Sequence, residues 1–132
     1  MGLYDTTRHE FHLYQNNVAG SSETVVAYGG NVQPIVGDWN GDGRDDIGYF
    51  RGGNTFVLDS DGDRAFNSGT DSQITVSVPS ARPAPADYNA DGRTDIAVFA
   101  VDTFHIDSNN DGTLDMVRTF RSGVAPVAGN WT

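Results

Sequence analysis

Twelve of the 18 acidic side chains fall in four short clusters: Asp38, Asp42, Asp46; Asp59, Asp61, Asp63; Asp87, Asp91, Asp95; and Asp107, Asp111, Asp115. Carboxylates crowded so tightly in a folded loop repel one another unless something positive sits between them. The spacing shows what could sit there. In Asp38-Trp39-Asn40-Gly41-Asp42-Gly43-Arg44-Asp45-Asp46, oxygen-bearing side chains occupy loop positions 1, 3, 5 and 9, and glycine occupies position 6, where the chain must turn sharply around an ion. The carbonyl of Arg44, at position 7, faces inward by the same logic. A cage of hard oxygens suits Ca²⁺, which takes about six to eight such ligands at flexible distances.

Asp87, Asn89, Asp91, Arg93 through its carbonyl, and Asp95 repeat this arrangement residue for residue. Neither loop is an EF-hand, because the flanks read as strands and position 12 is Tyr49 or Val98 where that motif needs glutamate. Asp107, Asn109, Asp111, Thr113 and Asp115 fit the same template with Gly112 at position 6. Asp59, Asp61, Asp63 and Asn67 fit it less well, since position 6 is Arg64 and the glycine has moved to position 4. For these last two loops a plain polar hairpin turn is the competing reading, because Asp-Gly and Asn-Asp-Gly are common turn formers. Two cations are therefore expected per chain, at the 38 and 87 loops, and up to four. Four Ca²⁺ would bring the formal charge from −10 to about −2, an ordinary value for a small domain. Mg²⁺ holds its waters and demands octahedral geometry, and the loops offer no imidazole or thiolate for zinc or copper. The matching stretch near the N-terminus, Tyr14-Gln15-Asn16-Asn17-Val18, has no carboxylates and is expected to hold no ion.

Other chemistries find little support. The chain has no cysteine and no lysine, which excludes thiolate nucleophiles, disulfides, Schiff bases and the lysine-bearing phosphate loop. His9-Glu10-Phe11-His12 resembles a zinc-protease motif only superficially, because it lacks the i, i+4 histidine spacing, and residues three apart on a strand face opposite ways. His105 stands alone, no Gly-x-Ser-x-Gly elbow exists, and Glu10 and Glu23 have no evident carboxylate partner for glycosidase chemistry. Asn130-Trp131-Thr132 formally matches a glycosylation sequon but occupies the slot of a cation loop. An enzyme is not expected. A net charge of −10 argues against nucleic acid and anionic membrane surfaces, and no apolar run approaches the ~20 residues of a membrane span.

The loops sit in a repeat. Residues 34–47 read onto residues 83–96 at an offset of 49, and Pro126-Val127-Ala128-Gly129-Asn130-Trp131 begins a third copy offset by 43. Strand-like runs recur in step: Ile47-Gly48-Tyr49-Phe50 with Ile96-Ala97-Val98-Phe99 and Met1-Gly2-Leu3-Tyr4, then Phe56-Val57-Leu58-Asp59 with Phe104-His105-Ile106-Asp107 and Phe11-His12-Leu13-Tyr14. A further run follows in each copy, at 24–28, 74–78 and 116–120. All are short, rich in aromatic or β-branched residues and bounded by Gly, Asn and Asp, with no helical periodicity. The alternation over 74–78 predicts one face on a core and one in water. Each unit thus reads as four antiparallel strands, the period of a propeller blade. The fold expected is all-β, a single repeat domain over 1–132 with approximate repeats 1–40, 41–89 and 90–132.

The Asp-aromatic-Asn-x-Asp-Gly-Arg-x-Asp-Ile spacing, after a Pro-led approach, resembles the FG-GAP or VCBS-like calcium repeats, the blades of integrin α-subunit propellers and of many secreted bacterial propellers. The segment Phe-x-Leu/Ile-Asp-Ser that ends in the 59 and 107 clusters is similar to the bacterial versions. The resemblance implies loops that join a blade's innermost strand to the next strand. Rings of that family carry about six or seven blades, and three cannot close. Because residues 126–131 match the innermost strand and residues 1–28 match the rest of a blade, the expectation is a homodimer that closes a six-bladed ring by exchanging terminal strands.

The function expected on these grounds is a non-enzymatic, calcium-stabilised propeller module for adhesion or ligand presentation, of extracellular or cell-surface origin, with itself and a glycan or protein ligand as partners. The alternatives are a lectin-like propeller, with sugar stacked on Tyr14, Tyr28, Trp39 or Tyr88, and an accessory repeat region of a larger secreted enzyme. A solvent-facing aromatic beside unpaired polar groups would favour sugar binding, and buried aromatics would favour a structural role.

Overall fold

The computed structural model describes residues 2–15, 18, 21–27 and 30–127. Its described elements are eleven strands in three antiparallel sheets, and no helix among them is long and apolar enough to cross a membrane. β1 (Gly2–Asp5), β2 (Glu10–Tyr14) and β3 (Glu23–Ala27) form the first sheet, in that order. β4 (Gln33–Gly37), β5 (Asp46–Arg51), β6 (Thr55–Leu58) and β7 (Ser72–Thr75) form the second. β8 (Arg82–Pro83), β9 (Ile96–Ala100), β10 (Thr103–Asp107) and β11 (Met116–Thr119) form the third. Sequential neighbours pair throughout, the simple meander that short Gly- and Asp-rich connections dictate.

The repeat found in the sequence is therefore present in the backbone. Among the described residues the first sheet has three strands, one fewer than the four expected. The counterparts of β1 are β5 and β9, each of which pairs on its other side with β4 or β8. Among the described residues no strand lies beside β1 on that edge. Of the segment expected to match that strand, residues 128–131 lie outside the described residues, as does Tyr28.

The chain falls into two compact units, Met1–Val32 and Gln33–Thr132. In the first, Phe11 and Val26 are buried opposite each other across β2 and β3, and the Tyr4 and Phe11 rings lie 5.4 Å apart. The second unit holds the larger core, in which Phe50, Phe56, Leu58 and Ile74 meet Ile96 and Val98. Alternation over 74–78 is as expected: Ile74, Val76 and Val78 are buried, and Thr75 and Ser77 are exposed. The strand itself runs over Ser72–Thr75, and one more bond in the same register follows it, from Val76 N–H to the Asn54 carbonyl (2.8 Å). β8 is only two residues long. Pro83 and Pro85 have no N–H to give, so alternate residues carry the ladder: Ala84 donates to Ala97 (2.8 Å) and Ala86 to Asp95 (3.3 Å).

Gly37, at the end of β4, shows how closely the two four-stranded sheets meet. A methyl group there would lie 2.6 Å from Thr94 Cγ2 and 2.7 Å from the Trp39 ring, whereas the matching position of the next repeat is Ala86. Gly37→Ala is expected to destabilise by about 1–3 kcal/mol through overpacking. Gly69→Ala, with nothing within 4 Å, should stay within about 0.5 kcal/mol of the parent. Urea unfolding of both variants checks this, and an unaltered midpoint for Gly37→Ala would show that the sheets are not so close.

Candidate metal-binding loops

Two loops join the first and second strands of their sheets, residues 38–46 and 87–95, and two join the third and fourth, residues 59–71 and 107–115. All four share one backbone plan. The position 6 N–H donates to the position 1 carboxylate: Gly43 to Asp38 (2.8 Å), Arg64 to Asp59 (2.9 Å), Gly92 to Asp87 (3.0 Å) and Gly112 to Asp107 (2.7 Å). The position 5 N–H donates to the position 3 side chain: Asp42 to Asn40, Asp63 to Asp61, Asp91 to Asn89 and Asp111 to Asn109, at 2.9–3.2 Å. The position 7 N–H donates to the position 5 carboxylate: Arg44 to Asp42, Ala65 to Asp63, Arg93 to Asp91 and Thr113 to Asp111, at 2.7–2.9 Å. Alternating acidic and amide side chains each cap the backbone two residues on, which is what short Asx side chains do in turns.

This winding needs left-handed backbone at positions 4 and 6. φ is positive at Gly41 and Gly43 (81° and 85°), Gly62 and Arg64 (72° and 67°), Ala90 and Gly92 (62° and 89°), and Asn110 and Gly112 (56° and 93°). Arg64 thus takes the conformation that glycine supplies elsewhere, so the displaced glycine of the 59 loop does not change its shape.

In three of the four loops the carboxylate that closes the loop receives the N–H of position 2. Tyr88 donates to Asp95 (2.7 Å) and Ser108 to Asp115 (3.0 Å). In the 59 loop that role falls to Asp71, which accepts from Ser60 (2.8 Å) and from the backbone N–H of Asn67 (2.6 Å). The Asn67 amide turns to Asp63 Oδ2 (3.1 Å). Sequence spacing missed Asp71 because this loop is four residues longer than the 107 loop. The available signal was register. Asp71 directly precedes Ser72, which pairs with Leu58, just as Asp115 precedes Met116, which pairs with Ile106.

The loops lean on one another. Arg93 Nη2 donates to the Trp39 carbonyl (2.7 Å), Thr94 N to the Asp38 carbonyl (2.8 Å), and Asp38 N to Thr94 Oγ1 (2.9 Å). Asn89 reaches the Ser108 carbonyl (2.9 Å), and Asn110 bonds both Ile96 N (2.7 Å) and the Thr94 carbonyl (2.9 Å). The 38 and 59 loops abut at Gly62, where a methyl group would lie 3.1 Å from Asp46 Oδ1.

Burial makes these anions costly. Asp59 and Asp107 are fully buried and Asp95 nearly so. Burial foremost pushes Asp46 up to about 6, helped by the neighbouring charges of Asp59, Asp42, Asp38 and Asp45. Burial likewise lifts Asp59 to about 6, opposed by N–H groups of Arg64 and Gly62 and assisted by Asp71 and Asp63. Asp95 rises to about 6 through burial, against the Tyr88 N–H bond and with repulsion from Asp91 and Asp87. Burial raises Asp107 too. The exposed Asp91 and Asp111 move the other way, drawn down first by the N–H groups of Arg93 and Thr113.

A divalent cation fits this donor set. Asp46 Oδ2 and Asp59 Oδ1 are buried without a hydrogen-bond partner, and every donor is a hard oxygen. Among the described residues, the one group whose carboxylate oxygens converge within a single ion's reach is Asp59, Asp61 and Asp71. In the 87 and 107 loops backbone N–H groups hold all three carboxylates, and in the 38 loop they hold Asp38 and Asp42.

The aromatics proposed for sugar stacking serve packing where they are described. Trp39 is buried with Nε1 on the Ile47 carbonyl (3.1 Å), and the half-buried Tyr88 donates to the Ala84 carbonyl (2.8 Å). Tyr14 is half-buried and bonded to Glu23.

Comparison with known families agrees with this geometry. Residues 38–98 match the FG-GAP-like repeat, a stretch that runs from the 38 loop through the 87 loop. No curated protein and no solved structure matches the chain.

The raised carboxylates set a sign for pH. An acid whose folded pKa lies near 6 takes up its proton in the native state before the unfolded chain does, at about 4. Native stability without cation therefore increases as pH falls from 7 toward 5. In chelator, the melting temperature at pH 5 should exceed that at pH 7.5, and with saturating Ca²⁺ the order should reverse. A chelated protein that melts lower at pH 5 would contradict this assignment.

Proposed function

With an FG-GAP-like repeat at residues 38–98 as the premise, we propose that this protein is a non-enzymatic propeller module whose Ca²⁺ ions are structural and whose role is adhesion or ligand presentation outside the cell. The observation that carries the reading is the hydrogen-bond ladder that the 38 and 87 loops share, which holds Asp38, Asn40 and Asp42 as it holds Asp87, Asn89 and Asp91. Each loop joins the edge strand of a sheet to its neighbour, so an ion there fixes a strand junction and its binding free energy becomes folding free energy. The side chains of Thr94 and Arg93 link one loop to the next, and through them an ion in one sheet stiffens the other.

The reading extends to assembly. Among the described residues no strand lies beside β1 where β4 and β8 lie in the other two sheets, and a second copy of this chain would supply one by strand addition. The module is then a homodimer whose paired chains close a six-bladed ring.

Two measurements test this. Removing Ca²⁺ with EDTA should lower the melting temperature by ten degrees or so, and Asp42→Ala and Asp91→Ala should each remove part of that shift; a melt indifferent to EDTA overturns structural calcium. Light scattering should give twice the 14.2 kDa chain mass in Ca²⁺, and a stable monomer overturns the shared ring.

A further inference from the structure

The β6–β7 hairpin contains an arrangement that the loop ions of the proposed function do not use. Asp59 follows β6, Asp71 precedes β7, and Asp61 lies between them, with one carboxylate oxygen of each within 4.8 Å of the others. Two ligands of one ion can be no farther apart than twice the bond length, and about 4.8 Å is that limit for Ca²⁺. Asp59 has no exposed surface, and its Oδ1 is buried without a hydrogen-bond partner, while Oδ2 already accepts the Arg64 N–H. A buried carboxylate oxygen left bare beside two further carboxylates is a strongly unfavourable arrangement unless a cation completes it. Asp107, its counterpart in the third sheet, differs: its two oxygens accept N–H groups from Asn109, Asp111 and Gly112.

We propose that the β6–β7 hairpin is a further, separate divalent-cation site, with Asp59, Asp61 and Asp71 as ligands and Ca²⁺ as the ion. Asp71 is the residue that makes the site, because its carboxylate is already oriented by the N–H groups of Ser60 and Asn67. The ion ties the end of β6 to the start of β7 and so closes a 13-residue loop, 59–71, whose two ends are otherwise joined by hydrogen bonds from Ser60 to Asp71 and between Ser60 and Ser72. Asp46, packed against Gly62 with its own bare Oδ2, adds negative charge beside the ion from the adjoining loop.

Equilibrium dialysis with radioactive Ca²⁺ on the full chain tests this independently of the other loops. Asp61→Asn, at an exposed position, and Asp71→Asn should each weaken one site at least ~tenfold and lower the bound ions by one per chain. The double variant Asp42→Ala/Asp91→Ala should keep that ion. An unmutated check accompanies them: the amide resonances of Ser60 and Asn67 should shift on Ca²⁺ addition. An unchanged count in Asp61→Asn and Asp71→Asn, or amides that stay still at saturating Ca²⁺, overturns the hairpin site. Loss of ions in the double variant alone would leave the proposed function standing without it, and loss in the hairpin variants alone would do the converse.

Discussion

The structure depends on carboxylates buried at the ends of strands. Asp59 and Asp107 have no exposed surface and Asp95 has 1%, positions that a soluble protein normally reserves for apolar or paired groups. Each is held by backbone N–H groups that the loop winding turns inward. Those dipoles offset part of the desolvation but leave the net negative charge in place, which is why burial raises the pKa of each of these acids. A chain with 37% hydrophobic residues has limited apolar area with which to absorb such a cost, so its loops and its core are energetically coupled.

That coupling is visible where the second and third sheets meet. Gly37, Asp38 and Trp39 are consecutive, and each contacts the 87 loop: Gly37 by leaving room for Thr94, Asp38 by bonding Thr94 at both N–H and carbonyl, and Trp39 by receiving Arg93. The Trp39 ring meanwhile fills the core beside Ile35 and Leu58. Loop winding, sheet packing and side-chain burial therefore share three residues. A change in the charge state of one loop acts on the packing of the neighbouring sheet through short, directional bonds.

Much of this was legible in the amino-acid sequence, for identifiable reasons. Strand positions followed from clusters of β-branched and aromatic residues between Gly, Asn and Asp, and the two long matching segments set the repeat. The loop template was legible because Asx side chains at alternate positions impose a local backbone, which depends little on tertiary context. What was not legible needed pairing. Asp71 lies beyond the template window, and only the Leu58–Ser72 register brings it back to Asp59. Arg64 looked like a defect at a glycine position, yet the surrounding hydrogen bonds hold it at φ 67°. The fourth strand expected of the first sheet depends on residues far along the chain, and local pattern says nothing about whether such a strand docks.

The two loop classes divide the labour of holding a sheet together. Loops 38–46 and 87–95 connect an edge strand to its neighbour, and their outward bonds run from one four-stranded sheet to the other. Hairpins 59–71 and 107–115 connect the last two strands, and their outward bonds return to the inner loop of the same sheet, through Gly62 against Asp46 and through Asn110 against Thr94 and Ile96. Charge placed in a hairpin is thus felt first within its own sheet, and charge placed in an inner loop is felt across sheets. The largest electrostatic push on Asp46 comes from Asp59, which is the hairpin acting on the inner loop beside it. Neutralising that hairpin would relieve the repulsion that Asp59 exerts on Asp46 in the inner loop beside it.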